Sequence, residues 1–339
     1  MGTLSSSLTP KKAIDDSGLN PPSELWTEHK TSSHVEIMGS MVRAFLNLER
    51  VERIDLAYLG AKINAWWSSQ GQELMPELAH SDLKILVLES IRSEHLLSIL
   101  KVGFNNSGIS AVLLEHTFKF ADKRLAHLVH EVMTELAGIV DVKYPYEDHK
   151  ELFPKSNDKL TSDWGRGVGI IRPHSDDLYE DRSVNAMCLT VCKDTSSTPT
   201  WFWLLKDITA CLSDEELGKF ALAEAIFLSG ANVEGRVIKI QKPVLRMDPD
   251  EGIGMRIDFR IDDSVGPRMR FADEETQKIF DKMRRALPKL KPVCSTPTTG
   301  SVSILANYKI LHGRSALNPI MLYEGESSRI LFRSKGTKL

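Results

Sequence analysis

His174 and Asp176 stand two apart in IIRPHSDD, and His312 closes the run ILANYKILHGR far downstream. Two imidazoles and one carboxylate form the donor set that holds Fe(II) on one face, leaving the opposite positions open for co-substrate and dioxygen. The spacing has a physical reason. Side chains at i and i+2 of an extended segment point to the same side, so His174 and Asp176 can grip one ion from a single β-segment. The third ligand must then arrive from a distant strand.

The elements around these residues fit that demand. GVGIIRP, an apolar run rich in glycine, leads into His174, and SVSILANYKIL leads into His312. A basic strand, SRILFRSKG, follows within about twenty residues. After about Val142 the texture is one of short β-like runs broken by Gly, Pro and Asp: VNAMCLTVC, PTWFWLL, RVIKIQKPVLRM and MRIDFRID are further examples. Before that point the pattern is helical, in EIMGSMVRAFLNLERV, LAYLGAKINAWWSSQGQEL and DKRLAHLVHEVMTELAGIV, with GISAVLLEHTF as an intervening strand. Two helices interrupt the β-rich part. LSDEELGKFALAEAIFL has Ser213 as N-cap, and ADEETQKIFDKMRRALPKL starts acidic and ends basic. The expected class is α+β: a jelly-roll core under a helical jacket. Residues 1–35 read as a loose leader and 36–339 as one catalytic domain, with 36–141 mainly helical support and 142–339 the core carrying the metal.

Other histidines make weaker constellations. His127 and His130, three apart with Glu131 beside them, share a helix, but a di-iron bundle needs a second such motif and none is present. A half-exposed helix is expected there. Composition excludes further classes. The formal charge of −3 argues against a nucleic-acid or polybasic membrane surface. No apolar run reaches the ~20 residues of a membrane-spanning helix, and the amino terminus lacks a secretory apolar core. Cys188, Cys192, Cys211 and Cys294 form no framework, and the first two read as buried core thiols. A cytoplasmic protein is expected.

His174-x-Asp176, His312 and then Arg329 resemble the iron and 2-oxoglutarate site of the clavaminate synthase-like dioxygenases. Within that group the chain is most similar to hydroxylases of free amino acids. The resemblance covers roughly Gly165 to Lys335. It implies a double-stranded β-helix in which His174, Asp176 and His312 ligate Fe(II), with O2 and 2-oxoglutarate as co-substrates. Arg329, seventeen residues after His312, would pair the far carboxylate of 2-oxoglutarate, a task suited to a planar guanidinium. Thr200, or Thr198 if the alignment slips, would assist. Arg333, four residues on and facing the same way, would hold the substrate's α-carboxylate. The best-known members acting on free amino acids use His-x-Glu, whereas halogenating members carry Ala or Gly in place of the carboxylate. Asp176 therefore implies transfer of oxygen and not chloride.

The resemblance of PHSDDLYEDRSVNAMCLTVCKDTSSTPTWFW is greatest to free L-lysine hydroxylases, which implies lysine, with arginine, ornithine or asparagine as alternatives. A side-chain cation would need carboxylates, and Asp258, Asp262 and Asp177 are the candidates. Alternation also permits Asp258 and Asp262 to form a salt-bridge ladder with Arg256 and Arg260. Two other classes stay open: a cupin-like metalloenzyme without 2-oxoglutarate, which would not need Arg329, and a ligand-binding jelly roll. Trp66 and Trp67 in the helical third suit either a homo-oligomer contact or the core.

Overall fold

Two strands of the chain are apolar on both faces, and that places them in a middle layer. ISAVLL is buried at every position and AMCLTVCKD at six of nine, on both faces, as expected of strands covered on both sides. The computed structural model describes residues 32–91, 94–101, 108–115, 118, 120–142, 151–152, 168–180, 184–230, 237–248, 252–263, 265–295, 299–317 and 329–338. The expected leader lies outside these, apart from residues 32–35.

The strands of the two principal sheets are β1 (Arg50–Ile54), β2 (Ile109–Leu114), β3 (Ile139–Asp141), β4 (Glu151–Leu152), β5 (Ile171–His174), β6 (Ala186–Asp194), β7 (Thr200–Leu204), β8 (Val293–Ser295), β9 (Val302–Ala306), β10 (Ile310–Arg314) and β11 (Arg329–Lys338). A seven-stranded sheet runs β1-β2-β9-β6-β11-β3, with β4 also paired to β11, and a four-stranded sheet runs β8-β7-β10-β5. All pairings in both are antiparallel except β1 with β2.

One face of the large sheet meets the small sheet through Ala111, Leu113, Met187, Leu305, Phe202, Leu204 and Ile310. Its other face, through Val112, Leu114, Cys188 and Ile304, packs on helices α2 (Ala57–Trp66), α3 (Pro76–Ile91) and α5 (Lys123–Leu136), α4 (Glu94–Leu100) lying in the same jacket. The expected jelly roll thus appears as an antiparallel two-sheet sandwich with a helical layer. A third apolar cluster joins α1 (Ser32–Leu46), α6 (Leu205–Thr209), α7 (Asp214–Ala221) and α8 (Glu274–Ala286) to a three-stranded sheet of Met269–Arg270, Glu224–Leu228 and Lys239–Pro243.

Several boundaries differ from the sequence reading. The first helical run stops at Leu46, and Arg50–Ile54 pairs with β2, so with β2 and β3 the helical third supplies three strands of the large sheet. LSDEELGKFALAEAIFL also divides. Ser213 caps α7 in a reciprocal capping box with Glu216, the helix ends at Ala221, and EAIFL is a strand. The apolar spacing of that run fits either period, and pairing with Lys239–Pro243 decides it. MRIDFRID is not one strand: regular pairing ends at Met255 and resumes only at Ile261–Asp262. Trp66 and Trp67 are buried in the helical core, which excludes them as a contact surface. No described helix is long and apolar enough to cross a membrane.

Candidate metal centre

β5 ends at His174, and β10 pairs against it so that His312 lies directly opposite. The two rings are 4.3 Å apart between centroids. Asp176 comes from the turn beyond β5, not from the strand itself. That turn is fixed by Asn307, whose side-chain oxygen accepts from the Asp176 N–H at 2.8 Å while its amide donates to the carbonyls of Asp176 at 3.0 Å and Val184 at 2.8 Å. Asp177 follows with a φ of 55°, a left-handed conformation that Asp tolerates better than most residues. One donor atom from each of His174, Asp176 and His312 lies within 4.8 Å of the others.

The donors are in ligand-competent form. His174 Nδ1 lies 2.9 Å from the Arg172 carbonyl. A carbonyl only accepts, so Nδ1 donates to it, and Nε2 is the nitrogen left turned toward the site. That Nε2 is 3.2 Å from Asp176 Oδ1. Burial, and then the neighbouring His174, push the His312 pKa down to about 3, which leaves a neutral imidazole. Burial would favour protonated Asp176, but its contacts with His174 and with the Arg333 guanidinium outweigh it and hold the carboxyl well below its usual range. Two imidazoles and a carboxylate, convergent and largely withdrawn from solvent, fit Fe(II) with open positions.

Arg329 sits on β11, in the large sheet, and its guanidinium reaches toward the small one. Nη2 donates to Thr200 Oγ1 at 3.0 Å, Nη1 to the Thr198 carbonyl at 3.3 Å, and Nε lies 3.5 Å from Asp194 Oδ2. Both threonines therefore meet it, Thr200 through its hydroxyl and Thr198 through its backbone. Burial lowers the Arg329 pKa, and Asp194 opposes that shift. Arg333 points from the same face of β11, with Nη1 3.3 Å from Asp176 Oδ2.

Of the three candidate substrate acids, Asp258 and Asp177 lie beside the candidate metal ligands, and all three meet a cation of the chain. Asp258 bridges His174 through the backbone and accepts from Arg260 Nε and Nη2. Asp262 faces Arg268 at 3.4 Å, and Asp177 faces Lys335 at 2.6 Å. The expected ladder with Arg256 does not form, since that guanidinium donates to the Pro243 carbonyl and lies over the Tyr308 ring. Sequence reasoning missed Asn307, Arg268 and Lys335. Asn307 left one signal, an amide inside an otherwise apolar run. His127 is half-exposed as expected. His130 is fully buried instead, bonded to Thr190 at 2.9 Å and Ser334 at 3.0 Å, and it serves the helix–sheet interface.

No family model and no curated protein matches the chain. Solved structures do. An asparagine oxygenase in complex with Fe(II), 2S,3S-3-hydroxyasparagine and succinate superposes with a TM-score of 0.63 at 15% identity, over 84% of this chain and 93% of that one. The non-heme iron oxygenase OrfP in complex with Fe and alpha-ketoglutaric acid gives 0.60 at 15%, over 85% and 94%. OrfP with Fe, succinate and (3S)-hydroxy-L-Arg gives 0.60 at 14% over the same shares. The chain shares their fold across nearly its whole length.

Proposed function

We propose that this protein is an Fe(II)- and 2-oxoglutarate-dependent oxygenase that hydroxylates a free amino acid. The observation that carries the reading is Arg329, a buried guanidinium beside the Thr200 hydroxyl, set across the sandwich from the His174, Asp176 and His312 ligands. A metalloenzyme without 2-oxoglutarate has no use for it. The fold shared with an asparagine oxygenase and with OrfP adds support. Iron with 2-oxoglutarate and O2 would supply the chemistry: one oxygen atom enters a substrate C–H bond, and 2-oxoglutarate becomes succinate and CO2. The chain's own part is to hold the metal through His174, Asp176 and His312 and the far carboxylate of 2-oxoglutarate through Arg329 and Thr200. Arg333 would hold the α-carboxylate of the amino acid. We take 36–339 as one catalytic domain, acting in the cytoplasm, where its four free cysteines would stay reduced.

L-lysine is the finer expectation. It depends on Asp258, Asp262 or Asp177 receiving an ammonium, and each would first have to release its present partner.

The decisive assay is succinate formation with Fe(II) and 2-oxoglutarate across a panel of free amino acids. Substrate-stimulated succinate, abolished by Asp176→Ala, is expected. Its absence with every amino acid would sink the reading.

A further inference from the structure

Charge around the metal ligands is distributed unequally. Each acid beyond Asp176 is engaged: Asp258, 3% exposed, gives both oxygens to Arg260, while Asp262 and Asp177 face Arg268 and Lys335. A cationic substrate side chain would have to displace one of these buried partners and leave it uncompensated, a costly exchange.

The cations are placed otherwise. Arg260 is 8% exposed and uses Nε and Nη2 on Asp258. Its Nη1 makes no hydrogen bond among the described residues and stands 3.9 Å from Asp176 Oδ1. Arg333 Nη1 approaches the other oxygen of the same carboxylate at 3.3 Å. Two guanidiniums therefore flank the one carboxylate that a metal takes as ligand. Arg268 stands behind Arg260, its backbone N–H bonded to the Arg260 carbonyl at 3.1 Å and its Nε buried without a hydrogen-bond partner among the described residues. Gly230 makes room for it, since a Cβ there would lie 2.5 Å from Arg268 Nη2. A zwitterionic amino acid brings one carboxylate, which suffices for Arg333. Arg260 Nη1 calls for a second acceptor.

We propose that the substrate is an acidic amino acid, its side-chain carboxylate bound by Arg260 Nη1 and its α-carboxylate by Arg333. This rests on the oxygenase reading and names the substrate class for it. A carboxylate accepts without donating and gains a charge-assisted bond, whereas an amide would also turn donors toward a guanidinium that has none to receive. Asp258 fixes the Arg260 fork before substrate arrives, which lowers the ordering cost of binding.

The test begins with calorimetric titration of the Fe(II)- and 2-oxoglutarate-loaded protein without oxygen, using L-aspartate, L-glutamate, L-asparagine, L-glutamine, L-lysine, L-arginine and L-ornithine. Aerobic turnover follows, read as succinate and as a substrate mass gain of one oxygen. An acidic amino acid is expected to bind about tenfold or more tightly than its amide or any cationic one, and to be hydroxylated. The double variant Asp258→Asn/Arg260→Gln removes the buried pair together, leaving neither charge alone. It should lose that preference while its circular dichroism stays native. Tighter binding of a cationic amino acid or an amide would overturn the acidic assignment, as would an unchanged acidic preference in the folded double variant. In these cases 2-oxoglutarate is still consumed and the oxygenase reading stands. Failure to bind 2-oxoglutarate, or to consume it with any amino acid, would sink both.

Discussion

Arg329 holds its charge where burial works against it, and Asp194, Thr200 and the Thr198 carbonyl fix its direction. If it anchors 2-oxoglutarate, Arg329→Ala should raise the KM for 2-oxoglutarate about ten- to a hundredfold. Arg329→Lys should fall between, because an ammonium keeps the charge and loses the paired bonds. Succinate assays over a range of co-substrate concentration would show this, and an unchanged KM would remove Arg329 from the role. Glu49 gives a pH prediction. Burial raises its pKa well above the ordinary value, although Lys309 and Lys206 pull the other way. For an acid whose folded pKa lies above its unfolded one, the proton is held more tightly in the folded state. Stability is then greatest below the unfolded pKa, about 4.3, and declines as pH rises through the folded value. Glu49→Gln should therefore gain stability over the parent at pH 8 and little near pH 4.5. Thermal unfolding at both pH values measures it; equal gains would place the effect elsewhere. The convergence of His174, Asp176 and His312 was legible from their order along the chain, although Asp176 stands in the turn beyond β5 and not on the strand, while Arg329 was singled out by the resemblance. The pairing of Asp258 with Arg260 inside an irregular segment was not legible, since only the fold decides which neighbour an acid meets.

Helix α1 crosses α7 with glycine on both sides of the contact. A Cβ at Gly39 would lie 1.7 Å from the Asp214 carbonyl oxygen, and one at Gly218 would lie 1.9 Å from that of Val35. Both obstacles are backbone and cannot turn aside as a side chain can. Gly39→Ala or Gly218→Ala should force the helices apart and cost about 1–3 kcal/mol, outweighing the gain of about 1 kcal/mol that alanine brings within a helix. A denaturant midpoint unchanged in either variant would contradict the close crossing. Elements were legible where one period dominated. α8 and its N-cap Asp273 agree with the acidic start and basic end of its sequence. The boundary between α7 and the strand after it was hidden because EAIFL continues the apolar spacing of the helix, and only its partner strand makes it extended. β1 was hidden likewise: RVERI has no glycine or proline before it to end the helical run, and β2 recruits it by pairing.

The two sheets divide the chemistry between them. β5, the turn after it and β10 hold His174, Asp176 and His312 at the small sheet, whereas Arg329 and Arg333 project from β11 of the large one. Metal alone therefore engages mainly one side of the sandwich. A co-substrate that binds both the metal and Arg329 would tie the two sides together. Ligands that bind only the folded state stabilise it by mass action, by about 2.7 kcal/mol at a hundred times Kd. Fe(II), or a redox-inert divalent stand-in, should raise the Tm, and a chelator should reverse the rise. Adding 2-oxoglutarate should raise it further, and 2-oxoglutarate without metal should do much less than that increment. The variants separate the two contributions. Asp176→Ala should lose both shifts, while Arg329→Ala should keep the metal shift and lose most of the second. Thermal unfolding of the parent and the two variants under the four loading conditions reads this directly. Equal increments in parent and Arg329→Ala would mean that 2-oxoglutarate binds at the metal without crossing to the large sheet.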